Sequence, residues 1–183
     1  MQNAKIIGLG HYVPPRVVTN DEMEKWMDTS DEWIRERTGI KSRRWIEEGE
    51  SIAGMSHKAS LKALKHAGIK AAEIDLIVTA SIIGDHLFPG NGCILQEKLG
   101  LPGVPAIDVR NACSGFLYAL SIADKFLKTG TCKNALVVGA EIQSTSLDVS
   151  SRGREYWRLT CTPIYVLPKS SGVNCPAPLN TRE

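Results

Sequence analysis

The sequence has no closely spaced pair of cysteines and no apolar run long enough to cross a membrane. Its five cysteines are spread widely along 183 residues, and an odd number without a CxxC pair argues against a disulfide framework or a compact zinc site. We therefore expect reduced thiols, no bound metal and a cytoplasmic protein. A membrane span needs about 20 consecutive apolar residues, whereas runs such as ALVVGA are far shorter. The N-terminal MQNAKIIGLG has a single lysine before a run broken by glycines, so we expect no signal peptide.

Neither sign of charge is in large excess. The 22 lysines and arginines nearly balance the 20 aspartates and glutamates, which leaves a formal net charge of +2. That balance gives no reason to expect nucleic acid or an anionic membrane as a partner. With 43% hydrophobic and 23% charged residues, the composition is typical of a globular protein, and the length suffices for one domain with a real core.

Apolar runs and helix-like stripes alternate along most of the chain. Strands are predicted at residues 5–9, 75–83, 105–109 and 134–141, and helices at residues 20–27, 29–38, 51–67, 92–99 and 114–128. Asn20 is placed to cap the first helix, Thr29 and Glu32 have the spacing of a capping box for the second, and Gly68 is a suitable stop for the third. The alternation of strands with helices predicts a layered α/β fold with a largely parallel sheet.

Residues 156–183 differ in character from residues 1–155. They have no helical stripe and no clear alternation, and they contain four prolines, Pro163, Pro168, Pro176 and Pro178. Each proline would interrupt a helix or a central strand. We therefore divide the chain into an α/β region, residues 1–155, and an irregular tail, residues 156–183.

The stretch VPAIDVRNACSGFLYAL joins a predicted buried strand to a strongly striped helix, with Cys113 at the joint. A helix that begins just after Cys113 points its free N–H groups and the positive end of its dipole toward the sulfur, which favours the thiolate. The neighbours Ala112, Ser114 and Gly115 are small, as a sharp turn around a nucleophile requires. The carboxyl edge of a parallel sheet is also where α/β folds bind ligands. Cys113 is therefore a candidate nucleophile for acyl transfer.

Other interpretations of these features stay open. A free cysteine is most often a small buried hydrophobe, which is how we interpret the other four. A cysteine at such a corner also fits a different α/β acyltransferase or a hydrolase. Gly8-Leu9-Gly10 indicates dinucleotide binding only weakly, because a third glycine and a following helix are missing. Among the four histidines, His86 is the one placed after a strand near Cys113, and it is a weak candidate for a base.

Several motifs, in the same order, resemble those of one enzyme family. The motifs are KIIGLGHYVPPRVVTN, TSDEWIRERTGI, LFPGNGCILQEKLG, NACSGFLYAL and SSRGRE. They are similar, in turn, to the opening strand, the coenzyme A-binding helix, the segment before the nucleophile, the nucleophile motif and a substrate-contacting loop of β-ketoacyl-acyl carrier protein synthase III. The resemblance covers residues 1 to about 155. It implies the thiolase-like layered fold, with a mostly parallel mixed sheet, of which this chain would form the first of two repeated halves.

The resemblance also implies an acyltransferase of fatty acid biosynthesis that needs no cofactor, since the coenzyme A thioester is its substrate. Cys113 matches the residue that takes an acyl group, usually acetyl, from acyl-CoA. The acyl-enzyme then condenses with malonyl-acyl carrier protein, with loss of carbon dioxide, in the first elongation step of type II fatty acid synthesis. Phe88 matches a residue that reaches across a homodimer interface to shape the partner's acyl pocket.

Four further residues match positions that bind coenzyme A. Trp33 and Arg152 match the pair that holds the adenine, and an indole face and a guanidinium plane are able to sandwich a purine. Thr29 and Arg37 match positions that bind the nucleotide and its phosphate-bearing arm, for which a guanidinium supplies charge-assisted donors. Taken alone, each residue also fits an ordinary role, such as a core aromatic or a solvated charge.

One departure from the family is large. Its second half supplies a His and an Asn that polarise the thioester and promote decarboxylation, together with a second oxyanion-hole glycine. Neither motif is present here, and family-like sequence stops after Arg154 and Glu155. We therefore expect a truncated or frameshifted chain and carry two hypotheses. The chain is a synthase represented by its N-terminal half, or a fragment that at most binds coenzyme A or acylates itself without condensing.

Overall fold

The computed structural model describes residues 3–144 and the backbone of residues 164–168. In chain order it contains β1 (Gly8–Gly10), β2 (Arg16–Thr19), α1 (Asn20–Met23), α2 (Asp31–Thr38), β3 (Ser42–Trp45), α3 (Ile52–Ala67), β4 (Leu76–Ala80), α4 (Asn91–Lys98), β5 (Ala106–Val109), α5 (Gly115–Lys128), β6 (Asn134–Gly139) and β7 (Ile164–Pro168). Short 3-10 turns lie at Ala71–Glu73 and Ala112–Ser114. Within the described ranges, no helix has both the length and the apolar character of a membrane span.

Five strands form one mixed sheet in the order β1-β7-β6-β4-β5. β4 lies parallel to both of its neighbours, with Val78 opposite Ile107 of β5 and Val137 of β6. β7 runs antiparallel to β6 on one side and to β1 on the other. The predicted layered α/β fold with a mixed sheet is confirmed. Because β4, β5 and β6 are parallel, their carboxyl ends meet at one edge.

Helices cover both faces of this sheet. On one face, Met55 of α3 and Leu95 of α4 pack with Ile77 in one apolar cluster. On the other face, Ala119 of α5 packs with Val78 in a second cluster. All five residues of β4 are buried. This explains the unbroken apolar run, since a strand covered on both faces has no solvent side to alternate with.

Two glycines allow β1 to lie directly against α3. A Cβ atom at Gly8 would collide with the carbonyl oxygen of Ala63, and one at Gly10 with the carbonyl oxygen of Ala59. Glycine in a strand often marks such a close approach between backbones. Packing therefore accounts for the Gly8-Leu9-Gly10 motif without a dinucleotide.

A second, two-stranded sheet pairs β2 with β3. With α1 and α2 it encloses a small core of its own, formed by Val18, Met23, Met27, Ile34 and Ile40. Arg43 of β3 is buried, and its guanidinium donates a hydrogen bond of 2.8 Å to the side-chain oxygen of Asn20. Burial lowers the pKa of Arg43. The sequence pattern did not predict this sheet, because the buried position in β3 is an arginine.

Two predicted helix caps are wrong by one residue. Ser30, and not Thr29, caps α2, because the Ser30 hydroxyl oxygen accepts the N–H of Trp33 at 3.1 Å. Thr19 caps α1, whereas the Asn20 amide is buried and donates to the carbonyl of Ile40 at 2.8 Å. The helix predicted at residues 51–67 is confirmed as α3.

The segment predicted as an irregular tail contains a strand of the main sheet. Residues 164–168 form β7 between β1 and β6, so the prediction is wrong for these residues. The prolines do not interrupt the strand, because Pro163 precedes it and Pro168 is its last residue. The sequence IYVL between them consists of apolar residues, including strand-forming Ile, Tyr and Val. The division of the chain at residue 155 stays a prediction, and the rest of residues 156–183 lies outside the described ranges.

Candidate active site

Cys113 lies at the carboxyl edge of the sheet, between β5 and α5. β5 ends at Val109, the 3-10 turn Ala112–Ser114 follows, and α5 begins at Gly115. The predicted strand–cysteine–helix corner is therefore confirmed. Gly115 is buried, and a Cβ atom there would come within 3.5 Å of the Ala80 Cβ. The small residue lets the first turn of α5 sit close to the strand ends.

The turn that carries Cys113 is strained. Ala112 has a φ angle of 46°, the left-handed region that non-glycine residues avoid at a cost of about 1–2 kcal/mol. Such strain persists where the surrounding structure enforces it and is concentrated at functional sites. The strained residue directly precedes the thiol, as expected for a sharp turn that presents a nucleophile.

A cavity of about 240 Å³ opens beside Cys113. It lies where the ends of the three parallel strands meet, the place where open α/β sheets bind ligands. Its lining comprises Ala80, Ser81, Ile82, Ala112, Cys113, Phe116, Gly139, Ala140, Glu141 and Gln143. Cys113 is exposed in this chain. The thiol is thus accessible from solvent and borders a space large enough for a small acyl group.

Among the described residues that line this cavity there is no histidine. His86 is exposed and is not among the lining residues, so the structure does not support it as a base for Cys113. His66 is partly buried, and its Nδ1 accepts the backbone N–H of Leu9 at 3.0 Å. Burial, with a smaller contribution from Lys98, lowers the pKa of His57. Both histidines of α3 are therefore partly buried.

A second group of predicted residues lies on and before α2. The guanidinium carbon of Arg37 lies 4.7 Å from the centroid of the Trp33 ring. The hydroxyl oxygen of Thr29 is buried and has no hydrogen-bond partner within the described ranges. Trp33 and Arg37 belong to α2 and Thr29 directly precedes its cap, and none of the three lines the cavity beside Cys113. The fourth predicted residue of this group, Arg152, lies outside the described residues.

Phe88 lies in the loop between β4 and α4. Its side chain is 89% exposed, and the neighbouring Leu87 is 92% exposed. The predicted role of Phe88 across a dimer interface stays a prediction. Leu117 and Tyr118 of α5 are also exposed, at 66% and 52%.

Sequence reasoning missed one residue of the cavity that makes several contacts. Glu141 follows β6 and accepts the backbone N–H groups of Ile82 and Ile83. The available signal in the sequence was an acidic residue soon after a buried strand. Its contacts could not be predicted without the strand order, which places the ends of β4 and β6 side by side. In the described part of the chain, no group of His, Cys, Asp and Glu side chains is arranged to hold a metal ion.

The chain is similar to known proteins in both sequence and structure. A model of the family described as 3-oxoacyl-[acyl-carrier-protein (ACP)] synthase III matches residues 107–159. Beta-ketoacyl-[acyl-carrier-protein] synthase III 1 of Vibrio vulnificus (strain YJ016) is 50% identical over 149 residues, which are 81% of this chain and 47% of that protein. Beta-ketoacyl-[acyl-carrier-protein] synthase III of Xanthomonas campestris pv. campestris (strain 8004) is 49% identical over 149 residues, with coverages of 81% and 46%.

The fold agrees with these sequence matches. The crystal structure of 3-oxoacyl-[acyl-carrier-protein] synthase III from Aquifex aeolicus VF5 superposes with a TM-score of 0.89 at 44% identity. The superposition covers 92% of this chain and 55% of that one. The chain spans about half the length of the curated relatives it matches.

Proposed function

This chain belongs to the β-ketoacyl-[acyl-carrier-protein] synthase III family, and we propose that it carries the acyl-accepting thiol, Cys113. The position of Cys113 supports this proposal above all. The thiol follows a strained Ala112, precedes the start of α5 and borders the cavity at the ends of three parallel strands. A nucleophile in such a turn is exposed to substrate while its backbone is held in place.

The proposed first step transfers an acyl group from acyl-CoA to Cys113. The sulfur attacks the thioester carbonyl carbon, and the electron pair of the C=O bond moves to oxygen. As that oxyanion collapses, the new C–S bond to Cys113 remains, and the bond to the coenzyme A sulfur breaks. The departing coenzyme A thiolate then takes up a proton from solvent, which balances the proton that Cys113 released to solvent when its sulfur attacked. The backbone N–H of Cys113 would donate a hydrogen bond to the oxyanion, and the dipole of α5, which begins at Gly115, favours negative charge there.

Coenzyme A would bind at Thr29, Trp33 and Arg37, with Arg152 as a fourth contact. The Trp33 ring offers a stacking surface and Arg37 a permanent positive charge. The buried hydroxyl of Thr29 has no hydrogen-bond partner among the described residues, and an unsatisfied polar atom of this kind is suited to a hydrogen bond with a ligand. These contacts support recognition of the nucleotide portion, while the acyl end reaches Cys113.

In the complete reaction, the acyl group on Cys113 would condense with malonyl-acyl carrier protein and begin type II fatty acid synthesis. Identity of 50% to a β-ketoacyl-[acyl-carrier-protein] synthase III supports this assignment. The exposed Phe88 and Leu87 support a homodimer in which this loop is covered by a second copy. We place the reaction in the cytoplasm.

A narrower function is also supported by a specific observation. Neither histidine nor asparagine is among the residues lining the Cys113 cavity in the described ranges. These are the residue types expected to promote decarboxylation of the malonyl group. In the second candidate function, the chain therefore accepts an acyl group at Cys113, or only binds coenzyme A, and does not condense.

Labelled acetyl-CoA and malonyl-acyl carrier protein distinguish the alternatives. Formation of 3-oxoacyl-acyl carrier protein would support the full synthase, and acetylated Cys113 without that product would support the narrower function. Release of free acetate would indicate a hydrolase. Cys113→Ser serves as the control in each assay, and a reaction that persists in this variant would overturn the role of Cys113.

A further inference from the structure

Glu141 fixes the segment that follows β4. Its Oε2 accepts the backbone N–H of Ile82 at 2.8 Å, and its Oε1 accepts the N–H of Ile83 at 3.2 Å. The Ser81 hydroxyl lies 3.4 Å from Oε1 and donates to the carbonyl of Ile83 at 2.7 Å. One carboxylate therefore holds two consecutive peptide groups, and such charge-assisted bonds are roughly twice as strong as neutral ones.

Arg110 holds the same segment from the other side. Its Nη2 donates to the carbonyl oxygen of Ile82 at 2.7 Å. Arg110 follows β5, Glu141 follows β6 and Ile82 follows β4. The N–H and the C=O of Ile82 are thus bound by groups from the two neighbouring strand ends, which leaves its backbone little freedom.

The fixed segment forms part of the wall beside Cys113. Ser81, Ile82 and Glu141 line the same cavity as the thiol. The Ile82 side chain is 43% exposed, so its position is set by its backbone more than by packing. A group attached to the Cys113 sulfur must fit between this wall and the start of α5.

We propose that Glu141 is a positioning residue for the reaction at Cys113 and that, by fixing Ile82, it limits the size of the group that the thiol accepts. This inference rests on the proposed acyl transfer at Cys113. The thiol performs the chemistry, and Glu141 acts on it only through Ser81–Ile83. A residue that merely stabilised the fold would lower the unfolding temperature without changing which acyl groups react.

The test compares Glu141→Gln with Glu141→Asp in the full chain. Gln replaces one acceptor oxygen by an NH₂ group, which faces a backbone N–H and loses that hydrogen bond. Asp keeps both oxygens on a shorter side chain. Glu97→Gln is the matched control, since Glu97 is exposed on α4 and lies outside the cavity. Alkylation of the Cys113 peptide by iodoacetamide and by the bulkier N-benzylmaleimide is measured by mass spectrometry, together with amide exchange of Ile82 and Ile83.

We expect Glu141→Gln to raise the rate ratio of the bulky to the small reagent at Cys113 about fivefold, the factor that corresponds to losing one hydrogen bond. Exchange at Ile82 and Ile83 should accelerate in the same variant. Glu141→Asp should remain within about twofold of the wild-type ratio, and Glu97→Gln should not change it. An unchanged ratio in Glu141→Gln would overturn the proposal, whether or not amide exchange accelerates.

A parallel series with acetyl-CoA and octanoyl-CoA separates this inference from the function on which it rests. If Glu141 limits acyl size, Glu141→Gln should raise the octanoyl-to-acetyl labelling ratio at Cys113 by a similar factor. If the wild-type chain accepts neither acyl group, the proposed function fails. The alkylation ratio then still decides whether Glu141 controls access to the thiol.

Discussion

The guanidinium carbon of Arg37 lies 4.7 Å from the centroid of the Trp33 ring. The two residues are four positions apart on α2, the spacing that places side chains on the same helix face. A purine that stacks on this ring and a phosphate that pairs with this guanidinium would therefore meet at one place. The contact joins an aromatic surface and a positive charge into one candidate nucleotide site.

Replacing either residue should weaken coenzyme A binding. We expect Arg37→Ala and Trp33→Ala each to raise the Kd for coenzyme A about fivefold to tenfold, because each removes a charge-assisted or stacking contact. Isothermal titration calorimetry measures the change. Arg35→Ala is the matched control, since Arg35 is exposed on the same helix and pairs with Asp31 at 2.9 Å. Equal weakening by Arg35→Ala and Arg37→Ala would show only a general charge effect.

The loop that carries Phe88 is anchored to α3 by Asp85. The two carboxylate oxygens of Asp85 accept the N–H groups of Ile52 and Ala53, each at 2.7 Å. We expect Asp85→Ala to lower the free energy of unfolding by about 1–2 kcal/mol, because it leaves two helix N-terminal N–H groups without partners.

Urea denaturation of Asp85→Ala measures this loss of stability. Asp124→Ala is the comparison variant, since its surface ion pairs with Lys125 and Lys128 should contribute less than about 1 kcal/mol. If the two variants are equally stable, Asp85 is not the anchor that its geometry indicates.

His57 should make the fold less stable in mild acid. Burial and the positive charge of Lys98 lower its pKa from the ordinary value of 6.5. The unfolded chain therefore binds a proton that the folded chain resists, so stability falls as the pH drops from 6.5 toward the lowered pKa. Above the ordinary value, both states are neutral at this position and the effect disappears.

The measurement is urea denaturation at about pH 7.5 and at about pH 5, on either side of the histidine range. Wild-type protein should lose more stability between these conditions than His57→Gln does. His86→Gln, which removes an exposed imidazole, is the control for how replacing a histidine changes the loss of unfolding free energy between these two pH values. If His57→Gln and the wild type have the same pH dependence, the burial of His57 has no effect on stability.

Ala112 tests whether the turn at Cys113 is strained. Its φ angle of 46° suits glycine. We expect Ala112→Gly to stabilise the fold by about 0.5 kcal/mol, since relief of strain exceeds the added freedom of the unfolded chain. Ala112→Val should destabilise it by at least about 1 kcal/mol, because β-branched residues fit this region poorly. Thermal unfolding should rank Ala112→Gly as the most stable, then the wild type, then Ala112→Val. If Ala112→Val is as stable as Ala112→Gly, the turn is not strained.

Strong local signals in the sequence predicted much of the fold. The helix α3 and its end follow from an apolar stripe and from Gly68, which adopts the left-handed conformation with a φ of 70°. The corner at Cys113 follows from a buried strand, small residues and a striped helix. In both places, local preference and tertiary packing favour the same structure, so the sequence pattern alone is enough to predict it.

The remaining features depend on contacts that are distant in sequence. β3 contains a buried arginine, Arg43, whose guanidinium donates hydrogen bonds to the Asn20 side chain and to the Val18 carbonyl. Glu141 gains a role only because β6 lies beside β4 in the sheet. The family resemblance indicated Trp33 and Arg37 as two separate contacts. The structure adds that the Arg37 guanidinium lies over the Trp33 ring.

The most direct test of the function is the site of acylation. The chain is incubated with labelled acetyl-CoA, digested, and examined by mass spectrometry at the peptides that contain Cys113 and Cys93, which are both exposed free thiols. Acyl transfer at the strand–helix corner predicts label on Cys113, little on Cys93, and none on the corresponding peptide of Cys113→Ser. Equal labelling of the two cysteines, or no label on Cys113, would contradict the proposed function.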